Sequence, residues 1–106
     1  MHPSKLGQLR KGLLEFLILD VVSTGDVYVA DIIDRLASTD FATREGTLYP
    51  LLSTMRREGL LDYDWRESVA GPPRKYYRLT DLGREHLAEF RAYWDSLTRL
   101  IDELGR

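Results

Sequence analysis

Residues 60–80, LLDYDWRESVAGPPRKYYRLT, decide which fold this chain adopts. Apolar and polar residues alternate in the first part, with the period of a half-buried β-strand, and the apolar residues are Leu61, Tyr63 and Trp65. The composition of residues 68–73 predicts a turn, and residues 74–79 follow as a second strand that directs Tyr77 and Leu79 to the core. The stretch therefore predicts a β-hairpin with GPPRK at its tip and descending edge, where proline is tolerated because no ladder donor is needed.

The descending strand is basic, although the chain as a whole carries a formal net charge of -2. Tyr76 and Tyr77 lie between the basic residues Arg74, Lys75 and Arg78, and no acid interrupts them. Such a hairpin either neutralises the phosphates of a nucleic acid or is a solvated loop, and the pattern alone leaves both open. The tyrosines either stack on unpaired bases or pack the sheet onto helices; we favour packing, the usual role of alternating aromatic residues in strands.

Two helices and a short extended segment are predicted at the start of the chain. Apolar residues recur at helical spacing over residues 9–21 and cover a wide face, and residues 23–25 end that helix. Residues 27–29 are short and extended. Residues 31–37 then form a helix, and a polar loop follows at residues 38–40.

A third helix is predicted within TREGTLYPLLSTMRREGL, residues 43–60. Thr43 is the expected N-cap, with Thr47 as the second candidate because Pro50 fits best in a first turn, and Gly59 ends the helix. One stripe should be buried: Leu48, Leu51, Leu52 and Met55. The opposite face has no acid and little bulk near its start, so that a flat or grooved partner can approach it; this face comprises Gly46, Tyr49, Pro50, Ser53, Thr54 and Arg57.

The last helix, capped by Thr80, has a strict heptad pattern of apolar residues. They follow one another in steps of 3, 4, 3, 4 and 3: Leu87, Phe90, Trp94, Leu97, Ile101 and Leu104. An apolar seam with strict heptad spacing is buried by packing against another helix, and in so short a chain the simplest partner is a second copy. The alternative is that the helix folds back onto its own domain.

The order of these elements is that of a winged helix-turn-helix domain, a mainly α fold with a small β-hairpin (α+β). The domain is predicted over residues 1–79, and residues 80–106 form a C-terminal dimerisation helix packed on the first helix of the partner. The second helix of the motif enters the DNA major groove and the hairpin is the wing. The expected DNA contacts are Thr47, Tyr49, Pro50, Ser53, Thr54 and Arg57, with Arg74 and Lys75 on the wing. The alternative is a winged helix that binds proteins and not DNA.

Four segments resemble the PadR family of bacterial transcriptional regulators and together cover nearly the whole chain. They are LRKGLLEFLIL at 9–19, EGTLYPLL at 45–52, GLLDYDW at 59–65 and GPPRKYYRLTDLG at 71–83. The single short C-terminal helix resembles the smaller subfamily, which includes a lactococcal multidrug-binding regulator. The resemblance implies a homodimeric repressor that leaves a near-palindromic DNA operator when it senses a small aromatic or phenolic effector. Many members have Tyr-Gly-Tyr-Glu-Ile where this chain has YVADI at 28–32, so another member's effector does not transfer to it.

The same resemblance implies an effector site around Trp94. In the multidrug-binding relative, the tryptophan of the matching helix stacks on flat aromatic drugs at the dimer centre. The residues implied here are Trp94, Phe90, Leu13, Phe16 and Leu17. The alternative is a filled dimer core in which the tryptophans pack on one another. Asp20 and Asp95 would favour cationic compounds.

The composition gives no indication of an enzyme or a bound cofactor. The 106 residues suffice for one domain, and there is no cysteine, so disulfides and thiolate metal sites are excluded. The two histidines, His2 near the terminus and His86 on the polar side of the last helix, form no metal-binding pattern. The most apolar run, residues 13–22, is too short to span a bilayer and no signal-peptide cleavage site follows it, so we expect a cytoplasmic protein without a membrane partner.

Overall fold

The computed structural model describes residues 5–106, so that His2 lies outside the described residues. This part of the chain contains four helices and one antiparallel hairpin. In chain order the elements are α1 (Lys5–Val22), α2 (Val29–Leu36), α3 (Glu45–Arg57), β1 (Leu61–Ser68), β2 (Gly71–Leu79) and α4 (Asp81–Leu104). None of these helices is long and apolar enough to cross a membrane.

Every element contributes to one hydrophobic core. Burying a leucine-sized side chain stabilises a fold by about 1.5–3 kcal/mol, so this shared core is what holds the helices around the hairpin. Tyr77 and Leu79 are only 3% and 4% exposed, which confirms that β2 directs them inward. The core includes Ile18, Leu19, Val22, Ile32, Leu36, Leu48, Leu52, Met55, Leu61, Tyr77, Leu79 and Leu87.

The hairpin turn is shorter than predicted, because β1 continues to Ser68 and β2 starts at Gly71. Arg66 pairs with Arg74 and Ser68 pairs with Gly71, so one residue of β1 opposes two of β2 between these pairs. The two residues are Pro72 and Pro73. Proline has no backbone N–H for a ladder, and a β-bulge is one of the few places in a sheet that tolerates it. The predicted turn over residues 68–73 was therefore too long.

The α3 helix begins at Glu45 with Arg44 as its N-cap residue, so the predicted N-caps Thr43 and Thr47 were both wrong. The Arg44 carbonyl accepts hydrogen bonds from the backbone N–H groups of Thr47 and Leu48, at 3.0 and 2.9 Å, and no side chain caps the helix. Pro50 is the sixth helical residue and not part of the first turn. Its face is exposed, so water can solvate the carbonyl that its missing N–H leaves without a helical partner.

Two residues separate the actual start of α2 from the predicted one. The helix begins at Val29, and the carboxylate of Asp31 accepts a hydrogen bond from the Tyr28 N–H at 3.1 Å. The extended segment is limited to Val27 and Tyr28, and Val27 forms an isolated bridge with Tyr77 on β2. The start of α2 is thereby fixed beside the wing.

The first half of α4 packs on the domain of its own chain. The Thr80 hydroxyl accepts a hydrogen bond from the Gly83 N–H at 2.9 Å, as expected for an N-cap. Leu87 is 3% exposed and lies in the core, so it cannot belong to a surface for a second copy, and its assignment to a dimer interface is corrected. One turn further on, the ring of Phe90 stacks on Phe16 of α1. The alternative in which the helix folds back therefore describes this half of α4.

Candidate nucleic-acid interface

The outward side of α3 carries the residues that the sequence assigned to DNA. Thr47, Tyr49, Pro50, Ser53 and Arg57 are exposed, while Thr54 is half-buried. The Thr54 hydroxyl donates to the Pro50 carbonyl and accepts from the guanidinium of Arg57, each at 3.1 Å. These bonds place the Arg57 guanidinium along the exposed surface of the helix, beside the Thr54 hydroxyl.

The two predicted cations of the wing lie on opposite faces of the hairpin. Lys75 pairs with Trp65, on the face that Tyr63 and Tyr77 share, and its Nζ lies 4.6 Å from the centroid of the Tyr63 ring. Arg74 belongs to the other face, and its guanidinium lies 4.9 Å from the centroid of the Tyr28 ring. Successive residues of a strand point to opposite sides, so this separation follows from their adjacency in the chain.

A groove of about 560 Å³ separates the beginning of α3 from the wing. The predicted outward face of α3 contains no acid, but Glu45, the first residue of α3, faces this groove. An acid at this position is stabilised by the helix dipole and reduces the positive charge of the groove. The groove is lined by Tyr28, Val29, Ala30, Glu45, Tyr49, Trp65, Pro72, Pro73, Arg74 and Lys75.

Two wing residues were missed by the sequence-based assignment. Trp65 was placed with the core-facing residues of β1, yet its side chain lies beyond the edge of the core and is 61% exposed. Arg66 was not considered, although it lies directly opposite Arg74 in the ladder. The pairing of two cations across a hairpin becomes visible only when the register is known, and the two prolines shift that register by one residue.

The root of the hairpin is held by an ion network rather than offered to a partner. Arg78 on β2 contacts the carboxylates of Asp62 and Asp64 on β1, at 3.4 and 2.5 Å. The hydrogen bond from Arg78 holds the pKa of Asp64 below its usual value, and the same bond raises the pKa of Arg78. The net charge of this group is negative, so the positive surface of the wing is confined to its outer half.

A second concave surface lies between α1 and α4 and contains all five residues assigned to an effector. One groove of about 550 Å³ and a neighbouring one of about 460 Å³ share Leu13, Phe90 and Trp94 as lining residues. Phe16 lines the first groove and Leu17 the second. The rings of Phe90 and Trp94 lie 5.9 Å apart, and Trp94 is 42% exposed. These side chains form an aromatic slot that is open on one side.

The charges around the aromatic slot are mostly negative. Glu89 lines the first groove, and Asp20 and Asp95 line the second. Asp20 is paired with Arg91 at 2.5 Å, which joins α1 to α4 and neutralises that acid. Glu89 and Asp95 form no ion pair within residues 5–106, so they give the rim a net negative charge.

The distal half of α4 exposes the remaining residues of the heptad seam. Leu97 is half-buried, while Ile101 and Leu104 are 62% and 76% exposed. The adjacent Leu100 is also exposed, at 47%. Together with Trp94, these residues form a continuous apolar strip from the aromatic slot to the end of the helix, which we call the distal seam.

A helix-turn-helix pair followed by a two-stranded wing defines a winged helix-turn-helix regulator. The model of the Transcriptional regulator PadR-like family matches residues 18–89, which is more than half of the chain. The chain therefore belongs to the PadR family, as its sequence motifs indicated, and it is a transcriptional regulator. The family and the structural neighbours are transcription regulators and not enzymes.

Two solved structures and one curated relative illustrate the similarity. A PadR-like transcription factor of Bacteroides fragilis is 41% identical, with 93% of this chain and 96% of that chain covered and a TM-score of 0.82. A PadR-like transcriptional regulator of Bacillus cereus is 37% identical, with 93% and 97% covered and a TM-score of 0.82. Transcriptional regulator Rv3488 of Mycobacterium tuberculosis is 30% identical over 94 residues, 89% of this chain and 87% of the relative.

Proposed function

We propose that this chain is a sequence-specific, homodimeric repressor that a small aromatic effector releases from a near-palindromic operator. The observation that carries the proposal is the groove between α3 and the wing, where Tyr49 of the helix faces Arg74 and Lys75 of the hairpin. A helix in the major groove and a wing on the adjacent backbone would contact the two sides of this groove. The recognition helices of a dimer would then lie about 34 Å apart, one turn of DNA.

The distal seam supports the homodimer. It exposes Trp94, Ile101 and Leu104, with the half-buried Leu97 between them, on a helix whose other half is anchored on its own domain. Covering such a strip with an identical strip related by a two-fold axis satisfies both copies at once. The same pairing would close the open side of each aromatic slot.

The aromatic slot supports a planar effector. Phe16, Phe90 and Trp94 supply flat apolar surface, and Glu89 and Asp95 supply negative charge at the rim. Such a site favours neutral or cationic aromatic compounds over anionic ones. A ligand held between α1 and α4 would shift α4 relative to the DNA-binding domain, which changes the spacing of the two recognition helices.

The decisive experiment is to sequence the DNA that the protein co-precipitates from its host and to titrate the recovered site at several salt concentrations. We expect a near-palindromic site and an affinity that falls by several orders of magnitude between low and moderate salt. A salt-independent association, or no enriched DNA, would support the alternative of a protein-binding winged helix. Transcription from the recovered promoter should rise when the regulator gene is deleted; a fall would identify an activator.

A further inference from the structure

The outer half of the wing carries a third cation, Arg66, that the recognition face and the aromatic slot do not explain. Arg66 and Arg74 are direct partners in the antiparallel ladder, so their side chains leave the hairpin on the same face. Like charges in this position repel each other and destabilise a hairpin. An arrangement of this kind needs compensation from neighbouring groups.

Aromatic rings provide part of that compensation. The guanidinium of Arg66 lies 4.8 Å from the centroid of the Tyr76 ring, and that of Arg74 lies 4.9 Å from the centroid of the Tyr28 ring. The two tyrosine rings are themselves in contact, with centroids 5.5 Å apart. The four side chains form one continuous layer, which we call the arginine–tyrosine layer. Its rings orient the guanidinium groups without neutralising them.

One carboxylate provides the rest of the compensation for the repulsion between Arg66 and Arg74. Asp26, in the loop between α1 and α2, forms an ion pair with Arg66. Arg74 has no carboxylate partner within residues 5–106. Both side chains of the Asp26 pair are more than one-third exposed, at 36% for Asp26 and 45% for Arg66. An exposed pair of this kind contributes little net stability, so a stronger anion can displace the aspartate.

Arg78 lies on the same face of the hairpin as Arg66 and, unlike Arg66, has a structural role. Two carboxylates hold Arg78, from Asp62 and Asp64, and this ion network lies at the root of the wing. Within residues 5–106, Arg66 forms an ion pair with Asp26 alone and has Arg74 as its direct neighbour, so these three residues give the outer half of this face a net positive charge. That half borders the groove that Arg74 and Tyr28 line beside α3.

We propose that Arg66 is a reserve phosphate ligand, which Asp26 occupies in the free protein and releases when DNA binds. The guanidinium exchanges the Asp26 carboxylate for an oxygen of the DNA backbone, next to the phosphate that Arg74 neutralises. This inference rests on the proposed DNA-binding function. Its consequence is a lower affinity for duplex DNA of any sequence, because each encounter must displace Asp26 before Arg66 contributes.

The test measures the affinity of the full chain for a fluorescein-labelled random-sequence duplex by anisotropy, over a series of NaCl concentrations. A phosphate contact is independent of sequence, so the operator need not be known. We expect Asp26→Asn to tighten binding about two- to five-fold, which is the free energy of an exposed ion pair expressed as a ratio of affinities. Arg66→Gln should weaken binding and make the log–log salt slope shallower by about 0.9, while Arg66→Lys should retain the slope.

The double variant Asp26→Asn with Arg66→Gln separates ion exchange from simple repulsion. If Asp26 acts by occupying Arg66, its replacement has no effect once Arg66 is gone. A full-sized gain in the Arg66→Gln background would mean that Asp26 only repels DNA, and would overturn the inference. So would an unchanged affinity of Asp26→Asn in the wild-type background.

Asp102→Asn is the matched control, because Asp102 also forms an exposed pair with an arginine, Arg106, at the far end of α4. Its affinity for DNA should equal that of the wild type, which shows that loss of one negative charge is not by itself the cause. Thermal unfolding of each variant checks that the wing remains folded. If the wild-type chain binds no duplex at any salt concentration, the proposed DNA-binding function fails; if it binds and Arg66 and Asp26 have no effect, only the ion exchange fails.

Discussion

Phe16 of α1 and Phe90 of α4 stack face to face, with their ring centroids 4.0 Å apart and their planes inclined by 11°. This pair joins the first helix of the DNA-binding domain to the helix that carries the distal seam. Trp94 lies against the same Phe90 ring, at 5.9 Å. A ligand in the aromatic slot would therefore touch residues that join α4 to α1, and in the proposed dimer this contact would link effector binding to the spacing of the two recognition helices.

A substitution at Gly83, in the first turn of α4, tests how tightly this helix is fixed to the wing. A Cβ atom on Gly83 would lie 2.2 Å from the Leu60 carbonyl oxygen, which belongs to the backbone and cannot move away without displacing the start of β1. We expect Gly83→Ala to lower the free energy of unfolding by about 1–3 kcal/mol, the usual cost of overpacking. Urea denaturation followed by circular dichroism measures this loss.

Gly12 provides the opposite case for the same measurement. It lies inside α1, and a Cβ there meets no atom within 4 Å outside the helix's own backbone and its chain neighbours. Gly12→Ala should therefore raise the free energy of unfolding by about 0.5–1 kcal/mol, because alanine is the better helix former. If both substitutions destabilise equally, the close approach of α4 to Leu60 is not what fixes the helix.

The sequence predicted those features that depend on periodicity. The two strands, the Thr80 cap and three of the four residues of the predicted α3 stripe were confirmed, while Leu51 is half-buried. Alternation and helical spacing directly express which side of an element meets the core. The residues expected to form an effector site are close together for the same reason. They belong to the apolar faces of the two long helices, which pack on each other.

The features that the sequence did not predict depend on contacts between elements. The N-cap of α3 was wrong because a backbone carbonyl, that of Arg44, fixes the first turn without help from a side chain. Leu87 fits the heptad pattern as well as Phe90 does, and only the position of α4 on the core shows that it points inward. The surroundings of Arg66 were missed because Asp26 is 40 residues away in the chain and the pairing with Arg74 depends on the register of the hairpin.

Replacing Leu97 by aspartate tests the distal seam as a dimer interface. A charge in the middle of an apolar strip cannot be buried against a second copy without a partner, so we expect monomers and loss of operator binding. Sedimentation velocity measures the oligomeric state. Ala92→Asp places the same charge on an exposed position of α4 outside the heptad pattern and should leave a dimer. A dimeric Leu97→Asp variant would rule out the distal seam as the interface.

Arg74 and Lys75, the two wing cations assigned to DNA from the sequence, are expected to behave differently when each is replaced by alanine. Arg74 lies on the arginine–tyrosine layer without a carboxylate partner in the described chain, so Arg74→Ala should weaken DNA binding and reduce the salt slope by about 0.9. Lys75 lines the same groove, but its ammonium group lies against the rings of Tyr63 and Trp65, so Lys75→Ala should reduce the salt slope less than Arg74→Ala does and should also cost about 0.5–1 kcal/mol of stability. Anisotropy titrations and urea denaturation of both variants give the comparison, and equal slopes would contradict the assignment.

Glu15 should make the fold less stable as the pH rises. Partial burial raises the pKa of Glu15 above 4.5, and the nearby Glu58 adds to the shift. Because the folded pKa is the higher one, the favourable contribution is complete below pH 4.5 and is lost as the pH rises through the folded value. Glu15→Gln should therefore raise the free energy of unfolding at pH 7, by up to about 0.5 kcal/mol, and not at pH 4. Glu103→Gln, at an exposed position near the end of α4, should show no such difference.

The two tryptophans of the chain report on the two candidate sites separately, since Trp65 faces the groove beside the wing and Trp94 lines the aromatic slot. In a Trp65→Phe variant, we expect proflavine, a planar cation, to quench the remaining Trp94 emission through stacking, and a phenolic carboxylate to do so less, because Glu89 and Asp95 repel it. In a Trp94→Phe variant, duplex DNA should shift the Trp65 emission to shorter wavelength, since a side chain that is 61% exposed loses water on binding.

Proflavine added to the Trp94→Phe variant without DNA is the control and should leave the Trp65 emission unchanged. Quenching of Trp65 instead of Trp94 would place the aromatic compound at the wing and would contradict an effector site between α1 and α4.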